Sequence, residues 1–168
     1  AVLRPEPVAA YAGTLKEEIL LAAHRLGGKR PLVHMHWGGG TPSLLDPADF
    51  QAIATLVRAH FDFTADAEHA IELDPRTVTP DLVASLARAG INRASLGVQD
   101  FNPKVQEAIG RIQSYRLVVD VVEMLTRAGI GAINMDLMYG LPYQTTEEVE
   151  RTADLAAALA PARIALFG

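Results

Sequence analysis

The sequence predicts an α/β fold, in which parallel strands form a sheet with helices outside it, as a barrel or as a doubly wound sheet. Five short β-type runs alternate with amphipathic helical patterns along the 168 residues. Residues that start and stop helices separate the two kinds of segment. A helix end, Arg-Ala-Gly-Ile and a strand follow one another twice, over 86–96 and 125–135, as expected of a repeated αβ unit.

The predicted helices have recognisable ends. The first covers about Ala9–Leu26 and ends at Gly27-Gly28. The segment before it, Arg4–Pro7, is predicted to lack regular structure. Asp46-Pro47 opens the second helix, which has Phe50, Ile53, Val57 and Phe61 on one face. Thr79-Pro80 opens the third helix, which Gly90 stops, and the fourth covers Leu117–Leu125 and is stopped by Gly129. Thr145 with Glu148 makes a capping box for the last helix. The predicted strands are Leu32–Trp37, His69–Leu73, Ala94–Val98, Ala132–Met138 and Arg163–Phe167.

Composition narrows the class of protein. The formal net charge is −5 with no basic block, which argues against nucleic acid or an anionic membrane as a partner. No apolar run approaches the roughly 20 residues of a membrane span. The absence of cysteine excludes disulfides and thiolate metal sites within these residues. We expect one domain and a cytoplasmic location.

Polar residues follow or close four of the five predicted strands. In parallel α/β folds the carboxyl ends of the strands share one edge, where ligands bind. We therefore expect a ligand site at this rim, with Arg111 contributed by a short helix after Asn102-Pro103. The rim residues are Gly38-Gly39-Gly40-Thr41, then Glu72, Asp74 and Arg76, then Gln99-Asp100, then Asp136 and Tyr139-Gly140.

Several rim residues also have a purely structural interpretation. Asp136 lies inside an apolar strand, so its carboxylate needs partners, which are either a ligand or an arginine such as Arg93 or Arg111. Asp74-Pro75 is also a turn former, Gln99 could cap a loop, and Tyr139 could simply pack in one. His34 and His36 share a strand face, but no third ligand in clear register completes a metal site.

The glycine run in HWGGGTP, residues 36–42, is the most unusual local feature. It does not match the dinucleotide fingerprint G-x-G-x-x-G, and it lacks the Gly-Lys-Ser/Thr end of a phosphate loop. Bare amides at Gly39, Gly40 and Thr41 could hold a carboxylate or an ammonium-bearing group. The residues thus predict a small polar ligand that is zwitterionic or nucleoside-like.

Five motifs occur in one order along the chain: HWGGGTP, IELDPR, NRASLGVQDFNPKVQ, GRIQ and INMDLMYGLPYQT. In this order they resemble the radical S-adenosylmethionine (SAM) superfamily, and more closely its oxygen-independent coproporphyrinogen III oxidases. The resemblance runs from about Tyr11 onward. It implies a partial (β/α) barrel with parallel strands and outer helices, with residues 1–168 forming part of one such domain.

The resemblance also implies cofactors, site residues and a reaction. Gly39, Gly40 and Thr41 would hold the methionine end of SAM, and Glu72 would bind polar atoms of the same molecule. A second SAM would face the side chains of Gln99, Arg111 and Asp136. The family uses a [4Fe-4S] cluster to form a 5′-deoxyadenosyl radical, and it oxidatively decarboxylates two propionates of coproporphyrinogen III to vinyl groups, which gives protoporphyrinogen IX. The resemblance assigns no catalytic side chain within these residues, and it implies a porphyrinogen substrate and a monomer at full length.

The chain departs from the family pattern in lacking the C-x-x-x-C-x-x-C cluster loop and its strand. We expect the 168 residues to be an internal piece of a longer enzyme, inactive alone, with exposed edge strands that favour aggregation or dimerisation. Anaerobic reconstitution of this chain is expected to give no iron–sulfur absorbance.

Two other functions stay open at this point. Related haem chaperones resemble these oxidases, but typically have an amide in place of Asp74, a serine in place of Asp100 and no His-Trp before the glycines. This sequence agrees with the oxidases at each of these points. A generic α/β barrel with a phosphate site would instead bind phosphate esters and no SAM.

Overall fold

The computed structural model describes residues 5–168 as one five-stranded parallel sheet that curls into a half-barrel with helices along its outside. The strands lie side by side in chain order. This order excludes the doubly wound alternative, because such a sheet reverses its strand order part-way. The strands are β1 (Arg30–Trp37), β2 (Phe61–Leu73), β3 (Arg93–Gln99), β4 (Ala132–Met138) and β5 (Arg163–Phe167).

The helices confirm most of the predicted ends. Thr79 caps α3 through its side chain, and Thr145 with Glu148 forms the expected capping box at α6. Ser114, which the sequence interpretation passed over, caps α5. The helices are α1 (Pro5–Leu26), α2 (Pro47–His60), α3 (Pro80–Arg88), α4 (Pro103–Ala108), α5 (Tyr115–Arg127) and α6 (Thr146–Ala157), and single 3-10 turns lie at Pro42–Leu44 and Pro75–Thr77.

Several boundaries differ from the prediction, three of them at α1, at the end of α2 and at the start of β2. Helix α1 includes Pro5 to Pro7, so this part of the segment predicted to be loose is helical, while Arg4 lies outside the described residues. Phe61 opens β2 instead of ending α2. Strand β2 also begins eight residues before His69, because its first half pairs with β1 on the far side of a bulge between Leu32 and His34.

The two faces of the sheet have different chemistry. Alternate strand residues such as Ile71, Leu96 and Met135 are fully buried beneath the helices and form the core. The intervening residues, such as Glu72, Ser95 and Asp136, point to the opposite, inner face. The sheet therefore presents a polar inner surface that leads to the carboxyl edge of the strands. Within residues 5–168 no helix is long and apolar enough to cross a membrane.

Candidate functional site

The polar residues predicted at the rim form two adjoining groups at the carboxyl edge of the sheet. One group, which we call the glycine cluster, combines the glycine run after β1 with His36 and Glu72. The other, which we call the bulge cluster, surrounds Gly97 on β3. Ser95 joins them, because it is paired with Glu72 across β2 and β3 and donates a hydrogen bond to Asp136 on β4.

The glycine cluster is built on a left-handed turn. Gly39 and Gly40 have φ angles of 74° and 54°, which side chains disfavour. A Cβ on either residue would meet no atom within 4 Å, so the space beside this backbone is open. Gly38 is different, because a Cβ there would lie 2.8 Å from Glu72 Oε1 and 2.9 Å from the His36 ring. The bare Gly38 backbone thus lies directly against the His36–Glu72 pair.

A cavity of about 520 Å³ lies beside the glycine run, between it and α1. Its walls are mainly apolar, with Tyr11, Leu15 and Trp37 among them. The centroids of the Trp37 and Phe50 rings lie 4.4 Å apart, and the indole nitrogen of Trp37 donates to His69 Nε2 over 2.7 Å. These contacts fix the end of β1 from the outer face, so the glycine turn begins from a rigid strand.

The bulge cluster surrounds a second glycine that has close neighbours, because a Cβ there would contact two side chains more tightly than usual. At Gly97 a Cβ would lie 3.1 Å from Gln99 Nε2 and 3.3 Å from Arg111 Nη2. Arg111 Nη2 also donates to the Gly97 carbonyl over 2.9 Å. Gln99 and Arg111 therefore converge on the same point, and Asp136 is the residue paired with Gly97 on β4. Arg111 lies in the loop after α4, not on that helix as predicted, because α4 ends at Ala108.

Asp74 ties the two arginines of the rim together. Its carboxylate accepts hydrogen bonds from Arg76 Nη2 over 2.6 Å and lies 3.4 Å from Arg111 Nη2. Burial works to raise the pKa of Asp74, but the hydrogen bonds from Arg76 and the positive charges of Arg111 and Arg76 outweigh it and lower the pKa below its usual value. Asp74 also accepts from the Arg76 backbone amide, so the turn-forming interpretation is confirmed.

Asp136 has neutral partners, so the alternative in which an arginine pairs with it is wrong, and the alternative in which it binds a ligand stays a prediction. Its Oδ2 accepts from Ser95 Oγ over 2.8 Å and its Oδ1 accepts from Asn134 Nδ2 over 2.7 Å. Arg93 is bound instead to Glu68, and Arg111 to Asp74. The Asp136 carboxylate is thus held in place while its charge is left without an ionic partner among the described side chains, which suits it to a cationic or hydroxyl-bearing ligand.

The structure adds a buried polar network that sequence reasoning found only in part. Asp100 is fully buried, and its carboxylate accepts hydrogen bonds from the backbone N–H of Asn102 and from Gln144 Nε2. Gln106 donates to the Asp100 carbonyl, and Gln113 donates to the Val98 carbonyl. Gln106, Gln113 and Gln144 lie in the loops and the short helix that follow the strands. Nothing in the sequence distinguishes them from exposed glutamines, because their burial depends on the fold.

Two weaker predictions have plain outcomes. The centroids of the His34 and His36 rings lie 6.4 Å apart, and no group of three or more His, Asp or Glu side chains among residues 7–168 could hold a metal ion. Tyr139 does not pack inside a loop, because 53% of it is exposed. Its amide donates to the Phe167 carbonyl and extends the pairing of β4 with β5.

Comparisons with known proteins link the chain to a family. The family model described as the radical SAM superfamily matches residues 11–156. The oxygen-independent coproporphyrinogen III oxidase of Bradyrhizobium diazoefficiens is 46% identical over 167 residues, which are 99% of this chain and 37% of that protein. The enzyme of the same name from Escherichia coli is 40% identical over 157 residues, or 94% of this chain and 34% of that protein.

A solved structure extends the similarity to three dimensions. The coproporphyrinogen III oxidase of Escherichia coli, described as a radical SAM enzyme, superposes with a TM-score of 0.92 at 37% identity and covers 99% of this chain and 38% of that one. The chain thus spans little more than a third of the length of these relatives. Both the resemblance and the predicted partial barrel are confirmed. The chain belongs to the radical SAM superfamily.

Proposed function

We propose that the chain provides the SAM-binding edge of an oxygen-independent coproporphyrinogen III oxidase. The observation that carries the proposal is the pair of adjoining clusters, one at the glycine run and one at Gly97, at the positions where the resemblance predicts two SAM molecules. The reaction would be oxidative decarboxylation of two propionate side chains of coproporphyrinogen III to vinyl groups.

The glycine cluster would bind the first SAM. The open space beside Gly39 and Gly40 admits the amino-acid end of the ligand to the backbone, with the Thr41 hydroxyl beside it. Glu72 would accept hydrogen bonds from polar atoms of the same molecule. Because Gly38 carries no side chain, the Glu72 carboxylate can lie next to the turn that holds the ligand.

The bulge cluster would bind the second SAM. Gln99 offers an amide and Arg111 a guanidinium that is already oriented by the Gly97 carbonyl and Asp74. Arg111 Nε is buried and has no hydrogen-bond acceptor among the described residues. Asp136 supplies a carboxylate whose hydrogen-bond partners within the described part of the chain are neutral donors. A zwitterionic ligand matches this combination of one cationic and one anionic group.

Membership of the superfamily implies both SAM and a [4Fe-4S] cluster, and only the first fits the residues present. The cluster supplies the electron that cleaves SAM, and it is bound by cysteine thiolates. The chain contains no cysteine, so none of its residues can ligate the cluster in that way. What this chain contributes is the binding and orientation of SAM.

The porphyrinogen substrate follows from the same proposal. Assignment of the whole chain to one barrel domain, the monomeric state at full length and a cytoplasmic location stay predictions.

The first experiment uses Gly40→Val in the protein that carries this chain. A β-branched residue is strained at a φ of 54°, and its side chain would occupy the open space beside the turn. We expect loss of SAM binding by isothermal titration calorimetry with an unchanged far-ultraviolet circular dichroism spectrum. Unchanged SAM affinity would refute the assignment of the glycine cluster.

Substrate and product analysis then tests the reaction itself. The protein is incubated without oxygen with SAM, a reductant and coproporphyrinogen III, and the product is oxidised and measured by porphyrin fluorescence. Formation of the divinyl product supports the proposal. Tight, stoichiometric haem binding without any decarboxylation would instead identify a haem chaperone.

A further inference from the structure

His36 makes a contact that the proposed binding of SAM does not explain. Its Nε2 lies 2.9 Å from Glu72 Oε1, which is hydrogen-bonding distance. The two residues lie on neighbouring strands, but His36 is paired with Ala70, so its ring must reach toward the rim to meet Glu72. Among the described residues this is the only hydrogen bond to the Glu72 carboxylate.

The contact holds one oxygen of Glu72 and leaves the other to the site. With Nε2 carrying the proton, His36 donates to Oε1, while Oε2 has no partner in the described part of the chain. A free glutamate side chain can rotate about three bonds, and fixing it before the ligand arrives removes an entropic penalty from binding. His36 is thus placed to orient the carboxylate without covering it.

Gly38 belongs to the same arrangement. Any side chain there would push against both members of the pair, since its Cβ would lie within 3 Å of Glu72 Oε1 and of the His36 ring. The first glycine of the run therefore provides space for the pair, whereas the second and third provide the left-handed turn. The motif HWGGGTP thus joins a carboxylate-orienting histidine to a ligand-holding turn in one short segment.

We propose that His36 is a positioning residue that fixes the Glu72 carboxylate for SAM. The inference rests on the proposed function, because it takes Glu72 as a ligand of SAM. It adds a role for a residue that contacts Glu72 and would act on SAM through it. His34 offers the matched comparison, because it lies on the same face of β1 but faces Glu68 over 3.7 Å and is 57% exposed.

The test measures SAM affinity by isothermal titration calorimetry in the protein that carries this chain, together with thermal unfolding. His36→Phe keeps a flat ring but removes the donor, and we expect about fivefold weaker binding, which is in the range for the loss of one hydrogen bond. His36→Gln can still donate an amide hydrogen to Glu72 and is expected to bind within twofold of the unmodified protein. His34→Phe is expected to leave the affinity unchanged.

A double-mutant cycle separates positioning from general stabilisation. In a Glu72→Gln background, His36→Phe is expected to weaken SAM binding no further, because the oriented carboxylate is already gone. An equal loss in both backgrounds, or equal losses in His36→Phe and His36→Gln, would overturn the inference. So would unchanged affinity in His36→Phe when Glu72→Gln does weaken binding. If Glu72→Gln itself leaves the affinity unchanged, the proposed role of Glu72 fails first, and the inference fails with it.

Discussion

Gln99 has a backbone conformation that the sequence gives no reason to expect. Its φ is 67°, and the Asp100 amide donates back to the Val98 carbonyl over 2.9 Å, which closes a tight left-handed turn around it. The register of β3 against β4 shifts at the same place. Non-glycine residues adopt such strain where the surroundings enforce it, commonly at ligand sites. The sequence could mark Gln99 as a polar residue at a strand end, but the bulge that aims it at Arg111 depends on tertiary pairing.

His69 is the residue whose titration should affect stability most visibly. It is almost fully buried, and burial together with the nearby charge of Arg58 lowers its pKa from 6.5 to about 4. Its neutral Nε2 accepts the Trp37 indole hydrogen. Because the unfolded chain takes up this proton more readily, stability is fully present above pH 6.5 and falls as the pH is lowered to about 4. The loss expected over this window is about 3 kcal/mol.

Chemical denaturation at a series of pH values measures that loss. His69→Gln can still accept from Trp37 and does not titrate, so its stability should change little between pH 6.5 and 4. Asp74 should affect this measurement little, because its pKa is lowered from 3.8 and its contribution to the free energy of unfolding is lost mainly at more acidic pH. Equal pH dependence in the unmodified protein and His69→Gln would contradict the assignment to His69.

At the scale of the elements, the sequence predicted helix boundaries correctly where a local capping residue sets the end of the helix. Thr79 and Thr145 cap helices as predicted because a capping side chain bonds to amides two or three residues away. Phe61 was misassigned because it continues the helical spacing of α2, and only pairing with Arg30 makes it a strand residue. The arginine alternative for Asp136 was wrong for the same kind of reason. Ser95 contacts Asp136 because of the register between β3 and β4, and Asn134 lies two residues before it on the same strand. A carboxylate in an apolar strand indicates that a partner is needed, but it does not indicate which residue that partner is.

Asp100 connects the end of β3 with the loop between β4 and α6, and we expect its removal to loosen both. Asp100→Ala would leave the Asn102 amide and the Gln144 side chain without their buried acceptor, although Gln144 also donates to the Met138 carbonyl. The expected loss is about 3 kcal/mol in the free energy of unfolding, measured by chemical denaturation. Asp100→Asn keeps one acceptor oxygen and should lose roughly half as much. A loss for Asp100→Ala within about 0.5 kcal/mol, the range of ordinary surface substitutions, would show that the network is not structural.

At the scale of the whole molecule, the order of the strands decides where the site lies. The parallel direction of the strands brings every βα loop to one edge. Because the strands also lie side by side in chain order, residues as far apart in sequence as Gly38 and Asp136 border one continuous polar surface. The alternation of segments predicted a parallel sheet, but it left the barrel and doubly wound forms equally open. Both forms use the same local units, and what separates them is the pairing of strands, which no local pattern encodes.

The open edges of the half-barrel govern how the 168-residue chain behaves alone. Within the described residues β1 and β5 each pair on one side only, and they expose Val33, Leu166 and Phe167 by 63%, 55% and 54%. Unpaired strand edges with apolar side chains favour pairing with another copy, and a lysine on such a strand opposes it. We therefore expect the isolated chain to self-associate, and Leu166→Lys to shift it toward monomer in sedimentation-velocity runs over a concentration series. Tyr143→Lys is the control, because Tyr143 is 64% exposed but lies in a loop. A chain that stays monomeric at every concentration, or an equal shift from both substitutions, would contradict edge pairing as the cause.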